Sequence, residues 1–583
     1  MGKVSVLRNC AQSVFYFLIR LLLPLVPFLA RFPLAWRVRD AFLSGPDGAA
    51  WLRQYGPDWD APEDVPPEPL TVLLDGRACS FDDRDRCLRD LESQTVPPRA
   101  VITVGHGEDS GGPDSALFPP GALPETGHVL VLAAGCRPHS RMLERVGQAL
   151  RKAPDTDLLY VDEWRLKGER VTSVYCKPSW DPLYFAATRY TGDAFAVAAA
   201  PLCGVMRDGE ADGIPFRDPV HLFALCQARS QGEITHLPVP LFGVSAKHGE
   251  RPIPAQPVRP TTEPPLAEPP VSIIIPFRNR PDLLRPCLDS LRSVTGYSAW
   301  ECILVDNGST DSTVKKLCRS LALEDRRFTI LEHNEPFNFS RLVNRGAAKA
   351  TGDILVLLNS DVEAREPSWL QALVRFAAEE EVGCVGAKLL YPNGLVQHGG
   401  IVGGLKSPLN GELCFGHAHL GLPGNAPGYF RQLAVSRTVL AVTGAALAVR
   451  KTVFDRLGGF DESLAVAFND VDFCLRAAAL GLRTVWTPEA SLLHHESATR
   501  GLDLACPEKS SRLAKELALL LERWGDAILD DPWYNPNFSA EQIYALAELP
   551  RARGPRSLPA KAGPLDAAGQ RVRPPTEPVC HPA

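Results

Sequence analysis

Residues 271–276 read Val-Ser-Ile-Ile-Ile-Pro, an apolar run too short for a helix and followed at once by polar residues. Such a run predicts a strand buried on both faces. Glu301–Val305 and Asp353–Leu358 repeat the pattern and end in Asp306-Asn307-Gly308-Ser309 and Asn359-Ser360-Asp361. Between the first two strands, Asp282–Leu291 carries its apolar residues at helical spacing. Short apolar strands separated by helices predict an α/β fold with a mostly parallel sheet covered on both faces. The polar residues after each strand then sit at its carboxyl end, where open sheets of this kind bind ligands.

The first half of the chain follows the same scheme. Cys87-Leu88-x-x-Leu91-x-Ser93-x-Thr95 returns as Cys287-Leu288-x-x-Leu291-x-Ser293-x-Thr295. Thr126-Gly127-His128-Val129-Leu130-Val131-Leu132 returns as Thr351-Gly352-Asp353-Ile354-Leu355-Val356-Leu357. Two matches in one order predict an internal duplication of a whole domain, its period of roughly 200 residues far beyond that of a solenoid. Residues 251–270 hold eight prolines in twenty positions, a composition that favours a semi-rigid, extended spacer. The expected organisation is an apolar N-terminal segment at 1–45, a first domain at 65–245, a Pro-rich linker at 246–270, a second domain at 271–545 and a disordered tail at 550–583. Arg20, Pro24 and Pro27 interrupt the N-terminal segment, which is short of the roughly 20 apolar residues of a spanning helix and shows no small-residue cleavage site. Two readings stand for it: lying in a membrane interface with Arg20, Arg31 and Arg37 near headgroups, or packing on its own protein.

Composition narrows the function classes. At 45% hydrophobic and 22% charged over 583 residues, the chain is globular rather than wholly disordered. Lys+Arg 62 against Asp+Glu 68 leaves a net charge of −6, which argues against gripping nucleic acid through bulk charge. The 15 cysteines include no C-x-x-C pair and sit in apolar runs, as small buried hydrophobes of a reducing compartment do.

Four clusters carry candidate chemistry, and each has an ordinary structural alternative. Asp306, after Cys-Ile-Leu-Val, can accept hydrogen bonds from a base or ribose, or cap its own turn. Asn359 and Asp361 point the same way on an extended chain and could hold Mg²⁺ or Mn²⁺ against a diphosphate; equally, they could cap a helix. Asp470 opens an apparent helix whose dipole would keep it ionised, as a base for a hydroxyl proton or as a plain cap. His494-His495-Glu496 follows an apolar strand and offers imidazole to a metal. Gly416-His417-Ala418-His419 reads as a surface loop, with contact to an acceptor sugar as the alternative. Trp533 and Tyr534 are expected to pack the C-terminal helix.

Together these residues resemble a known family. From Val271 to about Arg500 the chain is similar to family 2 glycosyltransferases of the GT-A fold. The resemblance rests on Pro276-Phe277-Arg278-Asn279, Val305 to Asp311, Asn338 to Gly346, Asn359-Ser360-Asp361, Val442 to Ala445, Gly458 to Glu462, Asn469 to Asp472 and His494 to Ser497. Its flavour, with Asp531 to Asn537 downstream, resembles bacterial rhamnosyl- and O-antigen-type transferases. The resemblance implies two GT-A-like domains in tandem, the first degenerate. It implies a nucleotide-sugar pocket formed by Pro276, Phe277, Asn279, Asp306, Arg341, Asn344, Asn359 and Ser360, with Arg345 near phosphate. It makes Asp361 the metal ligand of a D-x-D signature whose first Asp is here Asn359. It makes Asp470 the catalytic base and His494 or His495 a second metal ligand.

The implied activity is a metal-dependent, inverting transfer from a nucleoside-diphosphate sugar. Rhamnose is favoured as the donor sugar through the resemblance alone, and the acceptor would be a growing cell-surface polysaccharide or glycolipid. The implied place is the cytoplasm or the cytoplasmic face of the inner membrane. A non-catalytic glycan-binding or assembly protein is the competing reading. A nucleotidyltransferase would want a Gly-rich phosphate loop that Pro276 to Arg280 does not supply. In the first half Ala134, Cys136 and Gly105 align with Asn359, Asp361 and Asp306, and no His–His pair follows His236. That half is therefore expected to bind acceptor glycan or to dock the active half, with a purely structural remnant as the alternative.

Overall fold

The computed structural model describes residues 48–56, 65–105, 123–209, 216–245, 268–406, 413–495, 507–551 and 554–556. The N-terminal segment at 1–45, the Pro-rich linker up to 267 and the tail beyond 556 lie outside the described residues.

The first half builds one sheet from β1 (Thr71–Asp75), β2 (Ala100–Val104), β3 (His128–Ala133), β4 (Cys136–Pro138), β5 (Thr156–Lys167), β6 (Arg170–Tyr175), β7 (Ala194–Ala198) and β8 (Glu233–Ser245). The second half supplies β9 (Val271–Phe277), β10 (Trp300–Asp306), β11 (Phe328–Glu332), β12 (Ile354–Leu358), β13 (Val362–Ala364), β14 (Val382–Leu390), β15 (Val396–His398), β16 (Ile401–Lys406), β17 (Leu413–His417), β18 (Arg437–Thr438), β19 (Ala446–Arg450) and β20 (Arg483–His494). The sheets run β2-β1-β3-β7-β5-β8-β4 and β11-β10-β9-β12-β19-β14-β20-β13. Beyond the extra edge strand β11, the two orders match strand for strand, and each matching pair has the same sense.

The expected mostly parallel sheet is a mixed one. β12 lies parallel to β9 but antiparallel to β19, and β14 is antiparallel to β19. The cause is the point at which the chain re-enters. Thr443-Gly444 leads straight into β19 beside the carboxyl end of β12, where the Asn359 amide donates to Ala445 O at 3.0 Å. Parallel pairing would need a crossover back to the far end of the sheet. The antiparallel entry places this turn on the ligand-binding edge.

The central strands bury both faces. Ile273, Ile275 and Leu304 face one layer, where Leu284, Cys287, Leu288 and Leu291 of a helix at Pro281–Val294 (α1) pack on them. Ile274, Ile303 and Val305 face the other, with Leu342 and Val343 of Phe339–Ala347 (α2) and Phe473 and Cys474 of Asn469–Ala479 (α3). Period-two alternation between two apolar layers is why these strands read as unbroken apolar runs. Burial raises the Cys302 thiol well above its ordinary range, so it acts as a packed hydrophobe.

The segment after Pro507–Leu529 (α4) returns to the first half. Asp162 on β5 is fully buried. Its carboxylate accepts from Asn535 Nδ2 at 2.8 Å, Asn537 Nδ2 at 3.1 Å and the Lys177 amide at 2.8 Å. His236, held neutral by burial, meets the same carboxylate through Nε2 at 2.8 Å. A buried carboxylate costs several kcal/mol unless neighbours donate to it, and here four donors do. A second tie joins Thr438 to Asp181, backbone amide to Oδ2 at 2.7 Å. Tyr534 is fully buried in a cluster that also holds Trp51, Trp164 and Val402. The Asp531–Asn537 segment thus packs the two halves together, beyond the single-helix role expected of Trp533 and Tyr534. Arg551 and Arg556, expected in the tail, are also held: Arg551 Nη1 donates to Leu529 O at 2.6 Å, and Arg556 exchanges backbone bonds with His236 at 2.8 Å.

Replacing Asp162 with Ala strands three side-chain donors in the buried joint, and should lower stability by about 3–5 kcal/mol. The urea midpoint of the full chain measures this; an unchanged midpoint would show that the carboxylate does not hold the joint.

Candidate active site

The carboxyl end of β9 continues as Pro276-Phe277-Arg278 and then turns through Asn279 and Arg280, both at φ 54°. Asn tolerates this left-handed conformation better than most residues. Asn279 also ties two loops together: its amide donates to Ser309 Oγ at 2.8 Å, and its Oδ1 accepts from the Thr310 and Asp311 amides at 2.8 and 2.9 Å. This turn leaves the Arg278 side chain exposed at the mouth of the strand.

A cleft of about 310 Å³ opens there. Pro276, Phe277 and Arg278 line one wall, Asn359, Ser360 and Asp361 the floor, and Thr443, Gly444 and Ala445 the entry to β19. Val466, Asn469 and Asp470 close the far side, with Phe337 and Phe339 at the rim. The Asp470 carboxylate is fixed by the Gly444 amide at 2.8 Å and by the Val471 amide at 2.8 Å. Asp472, two residues on, faces away and accepts from Arg476 Nε at 2.8 Å and Trp524 Nε1 at 2.9 Å. Asn469 anchors the start of α3 through Ser340 Oγ at 3.1 Å.

Asp361 is nearly buried, at 4% exposure. β13 pairs with β20 so that Val362 lies opposite His494, and His494 Nε2 comes 3.3 Å from Asp361 Oδ1. Asn359 Nδ2 is 3.4 Å from the same Nε2. Neighbouring residues on a strand face opposite ways, and His495 accordingly turns from Asp361 to Glu363 Oε1 at 2.7 Å. Of the two histidines, His494 meets the acidic floor. Behind it, Gln397 Oε1 lies 3.2 Å from His494 Nδ1. The next residue, His398, takes the Thr443 amide at Nε2 (3.4 Å) and pairs with His417 through Nδ1 at 2.8 Å. Burial drives the His398 pKa well down.

Pro276, Phe277, Asn359, Ser360, Asp361 and Asp470 thus share one cleft, with His494 against its floor. Four other expected residues do not line this cleft and are held by contacts within the chain. Asp306 closes its own turn, accepting from the Ser309 amide at 2.8 Å. Asn279 is a loop tie, as described. Arg341 Nε donates to Glu462 Oε2 at 2.7 Å, which raises the Arg341 pKa and lowers that of Glu462. Asn344 holds Phe460, donating to its carbonyl at 2.9 Å and accepting from its amide at 2.8 Å. Gly459, at φ 76°, packs so closely on Asn344 that a Cβ would fall 2.5 Å from Oδ1. Polar residues that grip a loop and those that line a pocket look alike in sequence.

His417 and His419 are not on a surface loop. His417 lies on β17, and His419 is 5% exposed with Nε2 accepting from the Tyr429 amide at 3.1 Å. Phe337 and Gln397 carried no sequence signal: one lies between Pro336 and Asn338 just before a helix, the other in the short strand β15. Among the described residues, no helix is long and apolar enough to cross a membrane.

Residues 272–430 match the family model described as Glycosyl transferase family 2. An uncharacterized protein, y4gI, of Sinorhizobium fredii is 33% identical over 512 residues, covering 81% of this chain and 55% of that one. The O-antigen biosynthesis protein RfbC of Myxococcus xanthus is 36% identical over 444 residues, 69% of this chain and 33% of that one. An N-acetylglucosaminyl-diphospho-decaprenol L-rhamnosyltransferase of Mycobacterium tuberculosis is 28% identical over 221 residues, 35% of this chain and 69% of that one. The chain spans about half or less of the length of the first two.

If Asn279 is a loop tie, Asn279→Ala should cost about 1–3 kcal/mol through strained backbone and two stranded amides. A thermal melt reads this; wild-type stability would return Asn279 to the pocket-residue class.

Proposed function

We propose that this chain, whose residues 272–430 are a glycosyl transferase family 2 domain, transfers a sugar from a nucleoside-diphosphate donor to a hydroxyl of a growing cell-surface polysaccharide or glycolipid. The observation that carries the reading is one cleft with an acid–imidazole pair, Asp361 and His494, on its floor and the Asp470 carboxylate across from it.

The floor suits a divalent cation. Asn359 Nδ2 can only donate, so the His494 Nε2 beside it bears a lone pair. Gln397 Oε1 can only accept, so His494 Nδ1 bears the hydrogen. A carboxylate and an imidazole lone pair then face each other at 3.3 Å, an arrangement in want of positive charge. Oxygen and imidazole donors suit Mg²⁺ or Mn²⁺. Asp361 and His494 would hold the ion, which would neutralise charge on the departing diphosphate. Among the described residues no group of three or more His, Cys, Asp or Glu could hold a metal, so donor phosphates would complete the shell.

The rest of the chemistry falls to the chain's own side chains. Arg278 lines the cleft and makes no ion pair or hydrogen bond among the described residues; it is placed to meet a diphosphate. Phe337, 42% exposed at the rim, offers a face on which a sugar or base can stack. Asp470, held by two amides in the orientation that presents it to the cleft, takes the proton of the acceptor hydroxyl. One displacement from the face opposite the leaving group inverts the anomeric centre. Likeness to the rhamnosyltransferase favours a deoxyhexose donor. The cysteines among the described residues are all free, which favours a reducing compartment. We assign the reaction to the cytoplasm or the cytoplasmic face of the inner membrane.

The first half is read as a domain of the same design that no longer handles donor. Arg137 pairs with Gly243 where Val362 pairs with His494, so Cys136 and Gly243 stand where Asp361 and His494 do. A thiol is a poor partner for a hard cation, and a Cβ at Gly243 would strike the Trp164 indole. Arg77 bridges the Asp75 carboxylate (Nη2, 2.8 Å) to Phe216 O (Nη1, 2.9 Å) across the corresponding opening. Its ties through Asp162 and Asp181 support a docking role.

Purified full-length protein with a panel of nucleotide sugars and Mn²⁺ or Mg²⁺ should release one nucleoside diphosphate, and a chelator should stop it. Asp470→Asn should lower kcat by about 10²–10⁴-fold with donor KM near wild type; normal turnover would remove Asp470 as the base. His494→Ala should raise the metal concentration needed for half-maximal rate, whereas His495→Ala should leave it unchanged. Equal effects from the two variants would sink the metal assignment.

A further inference from the structure

The strand that backs the acidic floor does more than fill space. β15 runs antiparallel to the end of β14, with Leu390 opposite Val396, while the other edge of β14 pairs Leu390 with Leu493 of β20. A register shift between Leu389 and Leu390 opens the row at this point. Gln397, 3% exposed, thereby reaches the back of the His494 ring, its Oε1 3.2 Å from Nδ1. We propose that Gln397 is a positioning residue that locks His494 in the tautomer whose Nε2 lone pair faces Asp361.

The alternative tautomer shows why a lock matters. With hydrogen on Nε2, His494 would donate straight to Asp361 Oδ1 across the 3.3 Å gap. Carboxylate and imidazole would then satisfy each other, and neither would be free for a cation. Two forms of a neutral imidazole differ little in free energy, so the hydrogen bonds made at its two nitrogens decide between them. Gln397 supplies that bond at Nδ1, and Asn359 Nδ2, 3.4 Å from Nε2, favours the same form. The inference rests on the proposed function, since it needs a cation to receive the lone pair. It concerns a residue outside the cleft wall, and it gives a role to an amide that is 3% exposed.

The test is Mn²⁺ binding to the purified chain, read by electron paramagnetic resonance and calorimetry with a nucleoside diphosphate in place of the sugar donor, so that the diphosphate completes the shell and turnover plays no part. Gln397→Met keeps the length of the side chain and removes the acceptor; it should weaken Mn²⁺ binding about 10–100-fold. Gln397→Glu keeps an acceptor at the same reach and should bind Mn²⁺ at least as tightly as wild type. Circular dichroism verifies that each variant is folded. Wild-type affinity in folded Gln397→Met overturns the inference while leaving the proposed function standing. Loss of affinity in folded Gln397→Glu also overturns it, and does so even if Gln397→Met fails to fold. A wild-type chain that binds no Mn²⁺ would overturn this inference and the metal assignment together.

Discussion

Asp361 is a carboxylate taken almost out of water, and His494 meets it with an imidazole nitrogen at 3.3 Å. Burial makes such a group costly, and most of the local architecture can be read as keeping it in place. The backbone carbonyl of Asp361 takes the His495 amide at 3.0 Å, which fixes the start of β13 against the end of β20. The antiparallel entry of β19 brings the Thr443-Gly444 turn to the same edge, and the Gly444 amide then holds Asp470. The positions of Asp361 and Asp470 are thus set by backbone pairing between elements far apart in sequence, and the side chains follow.

The two halves show how little of a fold is chemistry. Their shared strands lie in one order with one set of senses. Asp218 caps a helix in the first half through the His221 amide at 2.8 Å, whereas Asp470 lies in the first turn of α3 and accepts from the Gly444 amide. The contrast lies in a few side chains at strand ends. Arg77 spans the mouth of the first-half sheet and Trp164 covers Gly243, while the second-half mouth stays open beside Arg278, which has no ion pair or hydrogen bond among the described residues.

What could be read from sequence divides along physical lines. The strands at 271, 301 and 354 were legible because burial on both faces leaves an unbroken apolar run. The acids at 361 and 470 were legible because they follow a strand or open a helix. The sense of β19 was not, because periodicity reports which face is buried and is silent on direction. That Arg341 clasps Glu462 and Asn344 clasps Phe460 was not legible, because such a side chain has the polarity of one that clasps a ligand. Which histidine faces Asp361 depends on the β13–β20 register, and Gln397 on a shift in β14; neither leaves a mark in composition or spacing.

The return of Asn535 and Asn537 to Asp162 bears on how the protein comes to be. Ribosomes make the first half long before those two amides exist. Until then the Asp162 carboxylate has only His236 and the Lys177 amide to satisfy it, so the early-made sheet must wait with its buried charge partly solvated. Domains generally fold as units in order of synthesis. Here a stretch made later completes a sheet made earlier, and any release of the chain before residue 535 leaves Asp162 without its two side-chain amide donors.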